Sequence, residues 1–101
     1  MKNRYKKLFD LSGKVAIITG SSRGIGASIA EALAEFGASV VVSSRSQESI
    51  DKVANKIIEN GFDATTCACH VGDESQLQNL VDSTIDKYGR VDILVNNAGI
   101  N

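Results

Sequence analysis

The sequence predicts an α/β fold in which the strands of a parallel β-sheet alternate with helices. Two observations predict it: short apolar runs rich in β-branched residues, and between them longer segments with helical spacing that each stop at a glycine. Apolar runs that are continuous rather than alternating are typical of strands covered on both faces. Strands that alternate with helices imply right-handed crossovers. The predicted order is therefore β-α-β-α-β-α-β.

The predicted strands are the four apolar runs, at residues 15–19, 40–42, 64–69 and 93–95. The chain stops at Asn101, soon after the last run, and no helix follows to cover that strand. Both faces of a parallel sheet are normally covered. We therefore expect a sheet truncated after about four strands.

Each predicted helix carries an apolar stripe and ends at a glycine able to adopt a left-handed conformation. The third begins at Asp73 with Gln76 three residues on, the spacing of a capping box. The stripes and their terminal glycines are Ile25, Ile29, Leu33 and Phe36 before Gly37; Ile50, Val53 and Ile57 before Gly61; and Leu77, Leu80, Val81, Thr84, Ile85 and Tyr88 before Gly89.

Length and charge bound the class of protein. With 101 residues the chain can form one small domain, preceded by a basic, solvated lead over residues 1–12. A net charge of -1 gives no bulk attraction to nucleic acid or to an anionic membrane, and no apolar run approaches the ~20 residues needed to span one. The lead has no apolar segment of the kind found in secretory signals, so we expect a cytoplasmic protein, with the organellar and peroxisomal alternatives left open.

The run from Cys67 to His70 resembles a metal or haem motif but lacks its spacing. One residue separates Cys67 from Cys69, whereas haem attachment needs two, and His70 is the only histidine in the chain. Two cysteines two residues apart on a strand point to the same face. We expect buried, reduced thiols, which suit a reducing compartment, and no metal site.

A glycine-rich turn joins the first strand to the first helix. Glycines there permit a tight bend and let a diphosphate approach the backbone, while the helix N-terminus offers free N–H groups to it. A plain tight turn with glycines for packing is the alternative. The predicted binding residues of the turn are Gly20, Ser22, Arg23, Gly24, Ile25 and Gly26.

The end of the second strand predicts which dinucleotide binds. Ser44 and Arg45 occupy the place, about 20 residues after the glycines, where an acidic residue would favour NAD by binding a free ribose 2′-hydroxyl. Two guanidiniums, of Arg45 and Arg23, suit a dianionic 2′-phosphate instead. We therefore expect NADP(H) in preference to NAD(H), with solvated surface arginines as the alternative.

These residues resemble those of the classical short-chain dehydrogenases/reductases. Within that family they are most similar to the NADP-preferring carbonyl reductase type. Residues 19–26 are similar to that family's cofactor turn, and Asn96-Asn97-Ala98-Gly99 is similar to its second signature. The resemblance runs from about Phe9 to Asn101. It implies a Rossmann-like, doubly wound sheet in the order 3-2-1-4, formed by residues 13–101 as a partial dinucleotide-binding domain.

The resemblance also implies roles for further residues. Asn97 and Gly99 lie by the ribose in that family, Asn96 helps to fix the sheet, and Val71 contacts the adenine. His70 departs from the pattern, because the family usually has an acidic residue at this position.

The family's catalytic serine and tyrosine, and the lysine four residues after the tyrosine, have no counterparts here. Tyr5 is followed four residues on by Phe9 and Tyr88 by Asp92, so we assign no catalytic residue. The resemblance implies the N-terminal part of an oxidoreductase, homo-oligomeric when intact, that transfers hydride between NADP(H) and a small carbonyl or alcohol. A non-catalytic NADP(H)-binding module and a non-functional truncated isoform are the alternatives.

Overall fold

A computed structural model describes residues 7–98. Four strands form one parallel sheet in the order β3-β2-β1-β4, which confirms the predicted topology. Three helices connect the strands, and the bounds are β1 Val15–Ile18, α1 Gly24–Glu35, β2 Ser39–Val42, α2 Gln47–Glu59, β3 Ala64–Thr66, α3 Glu74–Tyr88 and β4 Ile93–Val95.

The strand register brings the carboxyl ends of all four strands to one edge. Ile18 pairs with both Val42 and Val95, and Val42 pairs with Thr66. Each of these residues is the last of its strand, so the segments that follow the strands emerge side by side. Ligands of open α/β sheets bind at this edge.

The continuous apolar runs supply both faces of the sheet, as expected. On one face Ala16, Ile18, Val40 and Val42 pack with α1 and α2 in a single buried cluster. On the other face Ile17 and Val41 pack with Cys69 and with Leu80 of α3. Successive strand residues point to opposite faces, so an unbroken apolar run is needed to fill both cores.

Two of the predicted helix stripes are partly wrong. Ile25 is 74% exposed, and Val81 and Ile85 are 40% and 47% exposed. In α1 the buried residues are instead Gly26, Ala30 and Ala34, with the larger Ile29 and Leu33 at the margin of the contact. This row of small residues lets α1 lie close to the sheet. The row of large apolar residues beside it has the same helical spacing, so the spacing alone does not show which row faces the sheet.

The predicted third strand is also too long. β3 ends at Thr66, although Cys67 and Cys69 still donate single backbone hydrogen bonds to the carbonyls of Val42 (3.1 Å) and Ser44 (2.8 Å). Both cysteines lie on the same side of the sheet, as expected, but only Cys69 is buried; Cys67, predicted to be buried, is half-buried. The segment therefore continues alongside β2 without a full ladder.

The helix ends follow the sequence. Gly37, Gly61 and Gly89 all have left-handed backbone, with φ of 108°, 89° and 81°. At the start of α3, Asp73 accepts hydrogen bonds from the N–H groups of Ser75 and Gln76. Gln76 does not return the bond to the backbone of Asp73, so the capping box is only half formed.

Candidate functional site

A cleft of about 650 Å³ opens at the carboxyl edge of the sheet. Its walls come from the segments after β1, β2, β3 and β4, which the strand register places together. The lining residues are Gly20, Ser22, Arg23, Ser44, Arg45, Ser46, Ser49, Cys69, His70, Val71 and Ala98.

The turn after β1 is held in a fixed shape. Gly20 and Gly24 have φ of 62° and 59°, which other residues rarely adopt. Between them, the buried Ser21 donates from its N–H to the carbonyl of Ser43 (3.0 Å) and from its hydroxyl to the carbonyl of Ile18 (2.7 Å). One residue thus binds the turn to the ends of both β1 and β2.

The first turn of α1 leaves its backbone donors free. Arg23 is the N-cap residue, and its side chain caps no N–H group. Within residues 7–98, none of the N–H groups of residues 22–26 has a hydrogen-bond acceptor, whereas Ala27 donates to the carbonyl of Arg23 (3.4 Å). Such a helix end presents unpaired donors and the positive end of the helix dipole.

The segment after β4 packs directly beneath this turn. The hydroxyl of Thr19 accepts hydrogen bonds from the N–H groups of Asn97 (3.1 Å) and Ala98 (3.2 Å), and the side chain of Asn97 donates to the carbonyl of Gly20 (3.1 Å). A Cβ on Gly26 would collide with that carbonyl and with the Asn97 amide. Only glycine therefore fits at position 26 while the two segments remain in contact.

Two uncompensated cations lie in the cleft. Arg23 and Arg45 are both exposed, and neither forms an ion pair with any group in the described part of the chain. No carboxylate is among the lining residues. The cleft therefore combines free backbone donors with two positive side chains, an arrangement suited to an anion with several phosphate groups.

Six of the eleven predicted binding residues line this cleft: Gly20, Ser22, Arg23, Ser44, Arg45 and Val71. Gly24, Ile25, Gly26 and Asn97 are outside the lining; Gly26 and Asn97 support the turn from below, and Gly99 lies outside the described residues.

Five residues of the lining were not among the predicted binding residues: Ser46, Ser49, Cys69, His70 and Ala98. A signal for the first two was present, because a serine before a helix is a common N-cap, and the Ser46 hydroxyl indeed accepts from the N–H of Ser49 (3.3 Å).

Two of the described residues that could take part in proton transfer, Cys69 and Tyr88, are poorly suited to it. Burial raises the pKa of the Cys69 thiol. Burial, together with the nearby carboxylate of Asp63, raises the pKa of Tyr88 to about 12. The Tyr88 hydroxyl is buried and has no hydrogen-bond partner in the described part of the chain. Among residues 7–98, no three histidine, cysteine or acidic side chains converge to hold a metal ion.

Comparison with known proteins identifies the family. A family model described as short chain dehydrogenase matches residues 14–101. The chain belongs to the short-chain dehydrogenase family. This family consists of oxidoreductases that bind nicotinamide dinucleotides, and the predicted resemblance is confirmed at that level.

Similar proteins include plant and bacterial members of the family. The chain is 42% identical over its whole length to tropinone reductase-like 3 of Erythroxylum coca, and it covers 40% of that protein. It is 48% identical over 90% of its length to short-chain dehydrogenase/reductase SDRA of Arabidopsis thaliana, and it covers 36% of that protein. It thus spans well under half the length of these relatives.

Solved structures of the family share the fold. A hydroxysteroid dehydrogenase from Escherichia coli superposes with a TM-score of 0.89 at 47% identity, covering 90% of this chain and 39% of that one. A metagenomic short-chain oxidoreductase in complex with NADP gives a TM-score of 0.87 at 41% identity, covering 90% of this chain and 41% of that one.

Within residues 7–98, no helix has the length and apolarity needed to cross a bilayer.

Proposed function

We propose that this chain is the cofactor-binding part of an NADP(H)-dependent oxidoreductase. The whole protein, a cytoplasmic homo-oligomer, would transfer hydride between the nicotinamide and a small carbonyl or alcohol substrate. The observation that carries the proposal is the set of free N–H groups at residues 22–26, at the start of α1, beside a cleft lined by Ser22, Arg23 and Arg45.

The diphosphate of the cofactor fits the first turn of α1. An anion at a helix N-terminus gains hydrogen bonds from the unpaired N–H groups and a favourable interaction with the helix dipole. The close packing of Gly26 under Gly20 holds those groups in place. When bound, the cofactor would supply the hydride chemistry, while these residues bind and orient it.

The preference for NADP(H) rests on the end of β2. Ser44 and Arg45 follow β2, and Arg23 lines the same cleft from the turn after β1. Neither guanidinium is neutralised by a carboxylate within the described residues, so both are available to a 2′-phosphate. That a relative of the same fold was solved in complex with NADP supports this choice.

Cofactor titration of an Arg45→Asp variant tests the preference. We expect the affinity for NADPH to fall about 10- to 100-fold, because a charge-assisted contact contributes about 1.5–3 kcal/mol. The affinity for NADH should stay level or rise, since a carboxylate can bind a ribose 2′-hydroxyl. Isothermal titration calorimetry with both cofactors provides the measurement.

Lys52→Asp is the matched control, because it makes the same charge change on the exposed surface of α2 and outside the cleft. Its NADPH affinity should change little. Equal losses in the two variants would assign the effect to net charge and contradict the role of Arg45. No NADPH binding by the unmodified chain would contradict the whole proposal.

A non-catalytic NADP(H)-binding module is the second candidate. It is favoured by the phenol of Tyr88, whose buried hydroxyl and raised pKa make it a poor acid–base group. Under either candidate this chain binds NADPH but does not oxidise it with a carbonyl substrate. Absorbance of NADPH at saturating cofactor checks this, and sustained oxidation would show that a catalytic group within these residues has been overlooked.

A further inference from the structure

The backbone of His70 is fixed on the wall of the cleft. Its N–H donates to the side chain of Gln76 (2.8 Å), and its carbonyl accepts from the N–H of Asp73 (2.9 Å). Asp73 in turn caps α3. The position of His70 is therefore set by the start of a helix, although the residue itself is exposed and lies in a loop.

The imidazole ring makes one contact with the backbone, and its tautomer is inferred from this contact. The N–H of Gly72 donates to Nδ1 of His70 at 3.1 Å. A backbone N–H can only donate, so Nδ1 carries no proton, and in the neutral ring the proton is on Nε2. The ring fits because Gly72 has no side chain: a Cβ there would lie 2.9 Å from Cε1 of the imidazole.

His70 lies at the end of the cleft away from the glycine turn. It follows β3, which is two strands from β1, and adjacent strands are about 4.8 Å apart. The two segments are therefore separated by about 10 Å, comparable with the span of a nucleoside. The half-buried Val71 beside it provides apolar surface for a planar ring, while both arginines of the cleft belong to the other segments.

We propose that His70 is a specificity-determining residue that donates a hydrogen bond from Nε2 to an acceptor atom of the cofactor's purine base, and that Gly72 is its positioning residue. This inference rests on the proposed function. An acidic side chain at this position could only accept, so it would bind an amino group of the base. With a donor in its place, this chain would recognise a ring nitrogen instead.

The single histidine of the chain makes a direct test possible. In a ¹⁵N-labelled sample, long-range ¹H–¹⁵N spectra should show the neutral ring with its proton on Nε2. Addition of NADP⁺ should shift Nε2 and slow the exchange of its proton. Inorganic pyrophosphate, which has no base, should shift the amides of residues 22–26 and leave the ring signals unchanged.

The outcomes separate this inference from the proposal on which it rests. A proton on Nδ1, or NADP⁺ binding that moves the amides of residues 22–26 but not the ring, overturns the role of His70 and leaves the proposed function standing. If NADP⁺ moves neither, both are overturned.

Three variants give an independent readout in calorimetric titrations. His70→Phe keeps a planar ring without the donor and should weaken NADP⁺ binding roughly fivefold, the effect typical of one neutral hydrogen bond. His70→Gln places an amide N–H near the position of Nε2 and should recover part of the loss. Gly72→Ala, whose backbone φ lies outside the left-handed range, should displace the imidazole and weaken binding comparably.

Pyrophosphate affinity should be unchanged in all three variants. Equal NADP⁺ affinity in His70→Phe and the unmodified chain would overturn the inference, as would a loss of pyrophosphate affinity equal to the loss for NADP⁺.

Discussion

The N-termini of α1 and α3 are built in opposite ways. At α3, the carboxylate of Asp73 accepts hydrogen bonds from the N–H groups of Ser75 and Gln76, so two donors of the first turn are used within the protein. At α1, the N-cap residue is Arg23, whose side chain has no acceptor, and the donors of residues 22–26 stay free within the described part of the chain. An uncapped helix end forgoes stabilisation of about 1 kcal/mol, and it leaves donors for a ligand.

The N-terminus of α2 is intermediate between these two cases. Its N-cap, Ser46, accepts a hydrogen bond from the N–H of Ser49, yet both residues also line the cleft. The N–H of Ser49 is therefore not available to a diphosphate. The hydroxyls of Ser46 and Ser49 belong to the same cleft as Arg45. Under the proposed function, the free end of α1 would supply backbone contacts, and Arg23 and Arg45 would supply the charge.

Gly26→Ala should produce the largest effect on the α1 end. The new methyl group meets the carbonyl of Gly20 and the amide of Asn97, and neither can move without opening the turn. We expect a destabilisation of about 3 kcal/mol, the upper end of the overpacking range, and loss of NADPH binding. Urea unfolding followed by circular dichroism, with a parallel NADPH titration, measures both.

Gly24→Ala is the control for that substitution. Nothing lies within 4 Å of the added Cβ, and the only penalty is the left-handed backbone, at φ 59°. It should destabilise the chain by about 1 kcal/mol. A loss as large as that of Gly26→Ala would show that backbone strain, not close packing, decides the shape of the turn.

Alanine at each N-cap should separate binding from stability. Arg23→Ala removes a cation without removing a cap, so we expect roughly tenfold weaker NADPH binding and an unchanged urea midpoint. Asp73→Ala removes a cap but keeps the backbone N–H that bonds to His70, so the urea midpoint should fall while NADPH affinity stays within about twofold of the original. The same change in both quantities for both variants would remove the distinction between the two helix ends.

Acid should weaken the α3 end and not the α1 end. Hydrogen bonds from the Ser75 hydroxyl and the Gln76 N–H lower the pKa of Asp73 from its usual 3.8. A lowered pKa in the folded state stabilises the fold above the unfolded value, and this stabilisation is lost as the pH falls through the folded value. The difference in urea midpoint between the unmodified chain and Asp73→Asn should therefore shrink in acid.

That difference would stay constant with pH if the Asp73 carboxylate contributed nothing as a cap. Circular dichroism at a series of acidic pH values distinguishes the two results. The Arg23→Ala variant serves as the reference, because neither arginine nor alanine at this N-cap position titrates in acid.

The individual strands and the glycine turn could be predicted because their signals are local, whereas the strand order was predicted only from the family resemblance. A continuous run such as Val40–Val42 specifies a strand covered on both faces, and the positive φ of Gly20 and Gly24 follows from their place in a tight bend. The capping of α3 by Asp73 is equally local. Each of these features depends on residues within about eight positions of one another.

The parts that could not be predicted depend on distant contacts. Ile25 and Ile29 lie four residues apart on the same predicted helix stripe. That Ile25 is exposed depends on how α1 lies against the sheet, which the spacing does not specify. Cys69 enters the cleft because its backbone follows β2 beyond the end of β3, which no property of residues 64–69 specifies. Likewise, the contact between Asn97 and Gly20 joins residues 77 positions apart.

Hydrogen exchange can compare the two helix ends within one sample. Mass spectrometry with single-residue resolution would compare exchange of the N–H groups of residues 22–26 and 74–76, with and without saturating NADPH. The free donors of α1 should exchange quickly alone and become strongly protected with NADPH, while those of α3 change little. Protection of residues 22–26 before NADPH is added, or no gain when it binds, would contradict the claim that the α1 end binds the diphosphate.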